Sequence, residues 1–164
     1  MAISKAKKSE ILAKLENAFT GASSIAFVGF TKLTVADASA LRGELKKAEV
    51  KYFVAKKTLI RKALESRGYA GAAPELPGEV AVAWTEGDDT TAPARGVYEF
   101  GKKLKGALTL LGGVFESAFA DAAQMMAVAT IPPVPVLRGM FVNVINSPIQ
   151  GLVIALDKIR EQKA

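Results

Sequence analysis

The sequence contains no histidine and no cysteine. The first absence removes the commonest general base, the commonest metal ligand and every Ser-His-Asp or Cys-His arrangement. The second excludes a disulfide scaffold, thiolate zinc sites and thiol nucleophiles. Ser23 and Ser24 have no base to activate them, and Gly21, Gly29 and Gly43 form neither a Walker A nor a G-x-G-x-x-G pattern, so no nucleotide site is signalled. Asp88 and Asp89 are the one adjacent carboxylate pair, and a turn accounts for them better than a metal, which needs more oxygen ligands. The expectation is no enzyme, no cofactor and no metal. No run of 18 apolar residues occurs, and charged residues interrupt the N-terminus before an apolar leader can form. The sequence therefore predicts no membrane span and a cytoplasmic protein.

What is present fits a folded chain. At 164 residues, 50% hydrophobic and 23% charged, it has the length of one domain with an appendage and enough apolar residues for a core. Its net charge of +6 is uneven. Residues 1–68 hold 14 Lys/Arg against 6 Asp/Glu, residues 69–130 hold 4 against 8, and residues 131–164 hold 4 against 2. A basic first third suggests a polyanionic partner for one face.

Apolar spacing of three and four over residues 5–20 (Ile11, Leu12, Leu15, Ala18, Phe19) predicts a helix that Ser4 can cap. Residues 24–30 and 50–54 have strand composition. Thr34 with Asp37 resembles a capping box opening a helix whose stripe is Val35, Ala38, Leu41 and Leu45. A helix follows over residues 58–66, a Gly/Ala/Pro loop over 68–78, a strand over 79–84 and a helix over 93–104. Residues 107–116 read as a hairpin around Gly112 and Gly113, and Asp121 with Gln124 caps a short helix through Met125 and Met126. Met125, Met126 and Trp84 are expected in the core. This order predicts an α/β (α+β) fold, a mixed sheet covered by helices, with a C-terminal amphipathic helix projecting from it.

Three divisions are expected: residues 1–130 as the α/β domain, 131–147 as a Pro-rich connector with a short helix, and 148–164 as a terminal helix. Pro132, Pro133 and Pro135 stiffen the connector, and Ser147, Pro148 and Gln150 read as a cap, a first-turn proline and a capping-box partner. The terminal helix places Ile149, Leu152, Val153, Leu156 and Ile159 on one face. A helix this short is marginal in water, so that stripe either folds back on the domain or docks in another protein's groove. The densest basic cluster is Lys51, Lys56, Lys57, Arg61 and Lys62, where a strand turns into a helix and unpaired N–H groups can meet phosphate. Lys5, Lys7 and Lys8 could join it if the first helix lies nearby, and Arg42 is a weaker candidate.

Residues Leu41, Arg42 and Leu45, then Val50 through Val54, Lys56, Lys57, Thr58, Leu59, Arg61, Lys62, Ala63 and Leu64, resemble the signature of large-subunit ribosomal protein ten, the stalk-base family. That family shows an LR-x-x-L helix, a strand, then Lys-Asn-Thr-Leu and a basic helix ending in Ala-Leu. Lys57 departs from it by standing where asparagine is usual. The similarity extends to the loop before the third strand, to Ile131 and Pro132, and to a terminal amphipathic helix, and the length fits a bacterial-type member. The resemblance implies a scaffold in the large ribosomal subunit. Its basic domain would sit on large-subunit rRNA beside a neighbouring stalk-base ribosomal protein. Its terminal helix would hold acidic stalk-protein dimers, which in turn recruit translational GTPases. Two rivals stand beside it. A free-standing RNA-binding regulator explains the lysines but not the terminal stripe, and a small α/β nucleotide-binding enzyme lacks its phosphate loop.

Overall fold

The computed structural model describes residues 5–163 apart from 32, 72, 73, 88 and 105, and apart from the side chains of Lys5, Ala6 and Lys163. Ser4 and Asp88 therefore lie outside the described residues. The elements run α1 (Lys5–Gly21), β1 (Ser24–Phe30), α2 (Val35–Lys47), β2 (Val50–Val54), α3 (Lys57–Glu65), β3 (Val80–Thr85), α4 (Ala92–Lys103), β4 (Leu108–Phe115), β5 (Ala118–Asp121), α5 (Ala122–Ala129) and α6 (Val134–Lys163). The chain divides into two compact units, with the boundary between Ile131 and Pro132.

In the first unit a five-stranded sheet has the order β2-β3-β1-β4-β5. The predicted α/β architecture holds, but every ladder is antiparallel where a mixed sheet was expected. The reason is topological. The crossovers through α2 and α4 each join strands of the same sense, and a strand of opposite sense is inserted between them: β3 between β1 and β2, and β1 between β3 and β4.

Both faces of the sheet are covered, so its central strands read as unbroken apolar runs rather than alternating ones. Ile25, Phe27, Val80 and Val82 pack under α1 and α3 with Leu15, Phe19, Ile60 and Leu64. Ala26, Val28, Ala81 and Ala83 face the other way, under α2, α4 and α5 with Leu41, Leu45, Val97 and Met125. Three apolar assignments change. Val35 is 84% exposed and Met126 is 47% exposed, because each lies on the water side of a helix whose inward positions are Leu41 and Leu45, or Met125. Trp84 is only partly buried and borders the core instead of filling it.

Two of the four sequence-predicted caps act. Thr34 accepts from the Asp37 N–H, and its hydroxyl donates to the Asp37 carboxylate. At α5 both halves of the Asp121–Gln124 box form. The predicted turn at Gly112 and Gly113 does not exist. Both glycines lie inside β4, and the chain reverses at Glu116 and Ser117, with φ of 51° and 64°. Two left-handed residues make the primed turn that matches the twist of a hairpin. The glycines answer to space instead: a Cβ at Gly113 would sit 2.4 Å from the Ile25 carbonyl oxygen and 2.6 Å from the Met125 methyl.

The second unit is one helix, α6, of 30 residues, about 45 Å long. The expected break at Ser147 is absent, and Pro148 lies inside the helix. Ending a helix there would leave a full turn of N–H and C=O groups unpaired on each side, whereas an internal proline removes one bond. The membrane expectation also needs correcting, since α6 is long and apolar enough to cross a bilayer, with a window of mean hydropathy 1.5. Asn143, Asn146, Ser147 and Gln150 break any strict apolar run without lowering that average far.

Gly113→Ala is expected to destabilise the first unit by about 3 kcal/mol, the upper range for overpacking, because the nearest obstacle is backbone. Urea unfolding measures it, and an unchanged midpoint would contradict the close approach. A second expectation concerns Asp89. Its carboxylate accepts from the Thr91 N–H at 3.1 Å, the Thr91 hydroxyl and the Arg95 guanidinium at 2.7 Å. Burial pushes its pKa up, yet the bonds from Arg95 and Thr91 outweigh this and hold it below the ordinary 3.8. A depressed folded pKa contributes stability that is present above the unfolded value and is lost as pH falls through the folded one. Asp89→Ala should cost about 1 kcal/mol at pH 7, a modest figure because the carboxylate is partly open to water. Thermal unfolding at successively lower pH should show this difference shrinking below about pH 4.

Candidate nucleic-acid interface

Strand β2 ends at Val54, and α3 starts three residues later with Lys56 at the N-cap position. Lysine has donors and no acceptor, so no side chain caps the helix; the Leu59 N–H already donates to the Lys56 carbonyl oxygen at 2.8 Å, which leaves the N–H groups of Lys57 and Thr58 without a helical partner. The first turn also contains no acidic residue, while Lys56 and Lys57 stand where the helix dipole is already positive. Each such cation is unfavourable by a few tenths of a kcal/mol. Cap and charge here both work against the isolated helix, a local conflict of the kind found at functional sites.

The amphipathic pattern of α3 fixes where its charges go. Ile60, Ala63 and Leu64 are buried, and Lys57, Thr58, Arg61 and Lys62 are exposed. Because α1 packs beside α3, Lys8 joins Lys56, Thr58 and Lys62 around one small hollow of about 260 Å³. The sequence expected a joint face on condition that the first helix lay nearby, and it does. Among the described residues, none of Lys8, Lys56, Lys57, Arg61 and Lys62 takes part in an ion pair.

Other basic residues are placed elsewhere. Lys51 leaves the cluster: its ammonium lies 2.7 Å from Glu86, whose carboxyl is held below its ordinary value chiefly by that hydrogen bond. Arg61 lines a separate hollow with Tyr69 and Phe119. Arg42 lies on α2, in the opposite layer, with its guanidinium 6.0 Å from the centre of the Tyr52 ring. Burial raises the Tyr52 hydroxyl pKa, against the pull of Arg42. Lys7 is exposed one position before Lys8, and the Lys5 side chain lies outside the described residues.

A larger hollow lies beside the cluster, at the end of the sheet where β1 and β2 finish and β3 begins. Its volume is about 540 Å³, and Ile11, Phe30, Val54, Leu59 and Val80 line it together with Lys56, Lys57 and Glu79. Val80 is buried and the three charged residues are exposed, so apolar atoms form the floor and charges the edge. Sequence reasoning missed this feature, because its walls come from four separated segments and no linear pattern marks it.

On α6 the five predicted stripe residues are all half or more exposed. The apolar face does not begin at Ile149, however. Leu137, Met140, Phe141, Val144 and Ile145 extend it toward the N-terminus at the same three-and-four spacing, with exposures between 40% and 70%. The spacing was legible, but placing a helix start at Pro148 hid it. The opposite face carries Asn143, Asn146, Ser147 and Gln150, spaced for one side of a helix. Among the described residues no group of three or more His, Cys, Asp or Glu is arranged to hold a metal.

One family model, that of ribosomal protein L10, matches residues 3–102. The match runs from α1 almost to the end of α4 and takes in Lys8, Lys56, Lys57, Arg61 and Lys62, while α6 lies beyond it. Covering well over half of the sequence, it establishes that the chain belongs to the ribosomal protein L10 family and has a structural role in the large ribosomal subunit, in translation, rather than that of an enzyme.

Proposed function

We propose that this chain is a scaffold of the ribosomal stalk base. Its first unit binds large-subunit rRNA, beside a neighbouring stalk-base protein, and α6 anchors acidic stalk-protein dimers that recruit translational GTPases. The observation that carries the RNA half is the start of α3, uncapped and basic, with Lys8, Lys56 and Lys62 converging on one hollow and no carboxylate paired to them. A phosphate there would receive backbone N–H groups and ammonium groups together, and would relieve the repulsion that the isolated helix carries. Lys57 extends the same positive surface, and Arg61, one turn further along α3, would meet the RNA from a separate hollow. Lys5, Lys7 and Arg42 are secondary, Arg42 most of all because it lies in the other layer.

The anchoring half rests on α6. Its apolar residues are exposed along two continuous stretches, 137–145 and 149–159, and a helix cannot hold such a face in water without a cover. A groove in another protein suits it better than a bilayer. Asn143, Asn146, Ser147 and Gln150 fall in the middle of the uncharged window, where hydrocarbon would leave their polar groups unsatisfied. Arg138, Lys158, Arg160 and Lys163 outnumber Asp157 and Glu161 on this segment, which favours an acidic partner.

Replacing Lys56 and Lys57 together by Ala should weaken binding to rRNA and flatten its log–log salt dependence by roughly 0.7 to 0.9 for each phosphate no longer neutralised. A filter-binding salt titration reads both quantities, and an unchanged slope in the folded variant would make these lysines solvated surface only. Leu152→Asp with Leu156→Asp should abolish dimer capture, since two charges would enter an apolar groove, while rRNA binding and the thermal transition of the first unit stay as they are. Unfolding of the first unit by that pair would identify the stripe as core and end the anchoring reading.

A further inference from the structure

Building on the reading that Lys56 and Lys57 meet RNA phosphates, we propose that the cavity at the ends of β1 and β2 receives one unstacked nucleobase of that RNA, and that the base carries an exocyclic amino group. A phosphate has no use for such a cavity. Its walls are Ile11, Phe30, Val54, Leu59 and Val80, and its volume of about 540 Å³ falls within the roughly 300–1,000 Å³ of sites that enclose organic ligands. A nucleobase is a flat apolar surface with a polar edge, and proteins that read RNA take splayed-out bases against apolar and aromatic side chains. Ile11 and Leu59, which belong to the layer of α1 and α3, supply that apolar surface. Lys56 and Lys57 line the same cavity, so a polyanion held by them is brought to its edge, and a base adjoining the held phosphate is one nucleotide away.

Glu79 narrows the identity of the base. It is the single acidic residue among those lining the cavity, it is exposed, and no described cation pairs with it. A carboxylate repels a phosphate but accepts a hydrogen bond from the amino group of adenine, cytosine or guanine. Uracil has no such group. The division of charge, lysines against one carboxylate around an apolar floor, therefore matches backbone on one side and base edge on the other.

The test uses the full chain saturated on large-subunit rRNA, probed with dimethyl sulfate and kethoxal for bases and with hydroxyl radicals for backbone. One base adjoining a backbone segment shielded by the protein should lose its reactivity. Val54→Gln, at a position 43% exposed at the end of an edge strand, should restore that reactivity while the backbone protection stays. Its affinity should fall roughly tenfold, as expected when one stacked base is released, with the salt slope unchanged. Glu79→Ala, at an exposed position that strains nothing, should also weaken binding. A folded Val54→Gln protein with wild-type footprint and affinity overturns the proposal, and so does a footprint in which no base is shielded, which would leave the cavity to a peptide. Tighter binding by Glu79→Ala overturns it as well, because the carboxylate would then only be repelling phosphate. An unchanged salt slope after Lys56→Ala with Lys57→Ala is a different result, and it removes the phosphate reading beneath.

Discussion

Strand β1 is hydrogen-bonded to β3 along one edge and to β4 along the other, and its side chains feed both apolar layers in alternation. Ile25 and Phe27 hold α1 and α3, while Ala26 and Val28 hold α2, α4 and α5. Such a strand leaves no tolerance on any side. The opposing β4 meets it with Gly112 and Gly113, and a register irregularity between Phe27 and Val28 passes β4 across it with its side chains correctly directed. A one-residue slip would exchange the two layers completely, so the alternation of large residues on one face and alanines on the other pins the register. The small residues face α2, α4 and α5, letting those helices lie close to the sheet.

That arrangement also decides where charge can gather. With α1 and α3 laid side by side on one face, Lys8 is carried from the start of the chain to within a shared hollow with Lys56 and Lys62. The opposite layer holds Arg42 and the Lys103–Glu44 pair, the latter closed at 2.9 Å. Lys51, Lys103 and Lys14 each have a carboxylate, whereas among the described residues Lys8, Lys56, Lys57 and Lys62 take part in no ion pair, as is also true of Lys46, Lys47 and Lys102. The first turn of α3 is uncapped, where a serine or aspartate at position 56 would stabilise the helix and occupy one of its N–H groups.

Helix α6 follows a different rule. Inside the first unit each apolar face has a partner element, but α6 carries an uncovered apolar face over most of its length and keeps Pro148 in its interior. Propensity alone leaves a helix like this marginal, with Gly139 and Gly151 weakening it further. In the proposed association, ordering this helix would be part of the free energy of binding.

Much of this was determined by sequence alone. The period-3.6 stripe of α1, the apolar runs of β1 and β2, the Thr34 and Asp121 caps and the strand-to-helix position of Lys56 are local, and local patterns bound by backbone geometry survive folding unchanged. The absence of histidine and cysteine removed most catalytic chemistry without reference to any fold. Other features were settled only in three dimensions, because they depend on which distant segments meet. Gly112 and Gly113 look like a turn in sequence and are instead the space that β1 and Met125 require. Lys51 looks like part of the cluster until Glu86, 35 positions away, takes it. Ser147 and Pro148 look like a helix start, yet the cooperative cost of interrupting a helix exceeds the gain from one cap. The cavity beside Lys56 is the extreme case: Ile11, Phe30, Val54 and Glu79 come from four separate segments, and only the order of strands in the sheet brings them to one end of it.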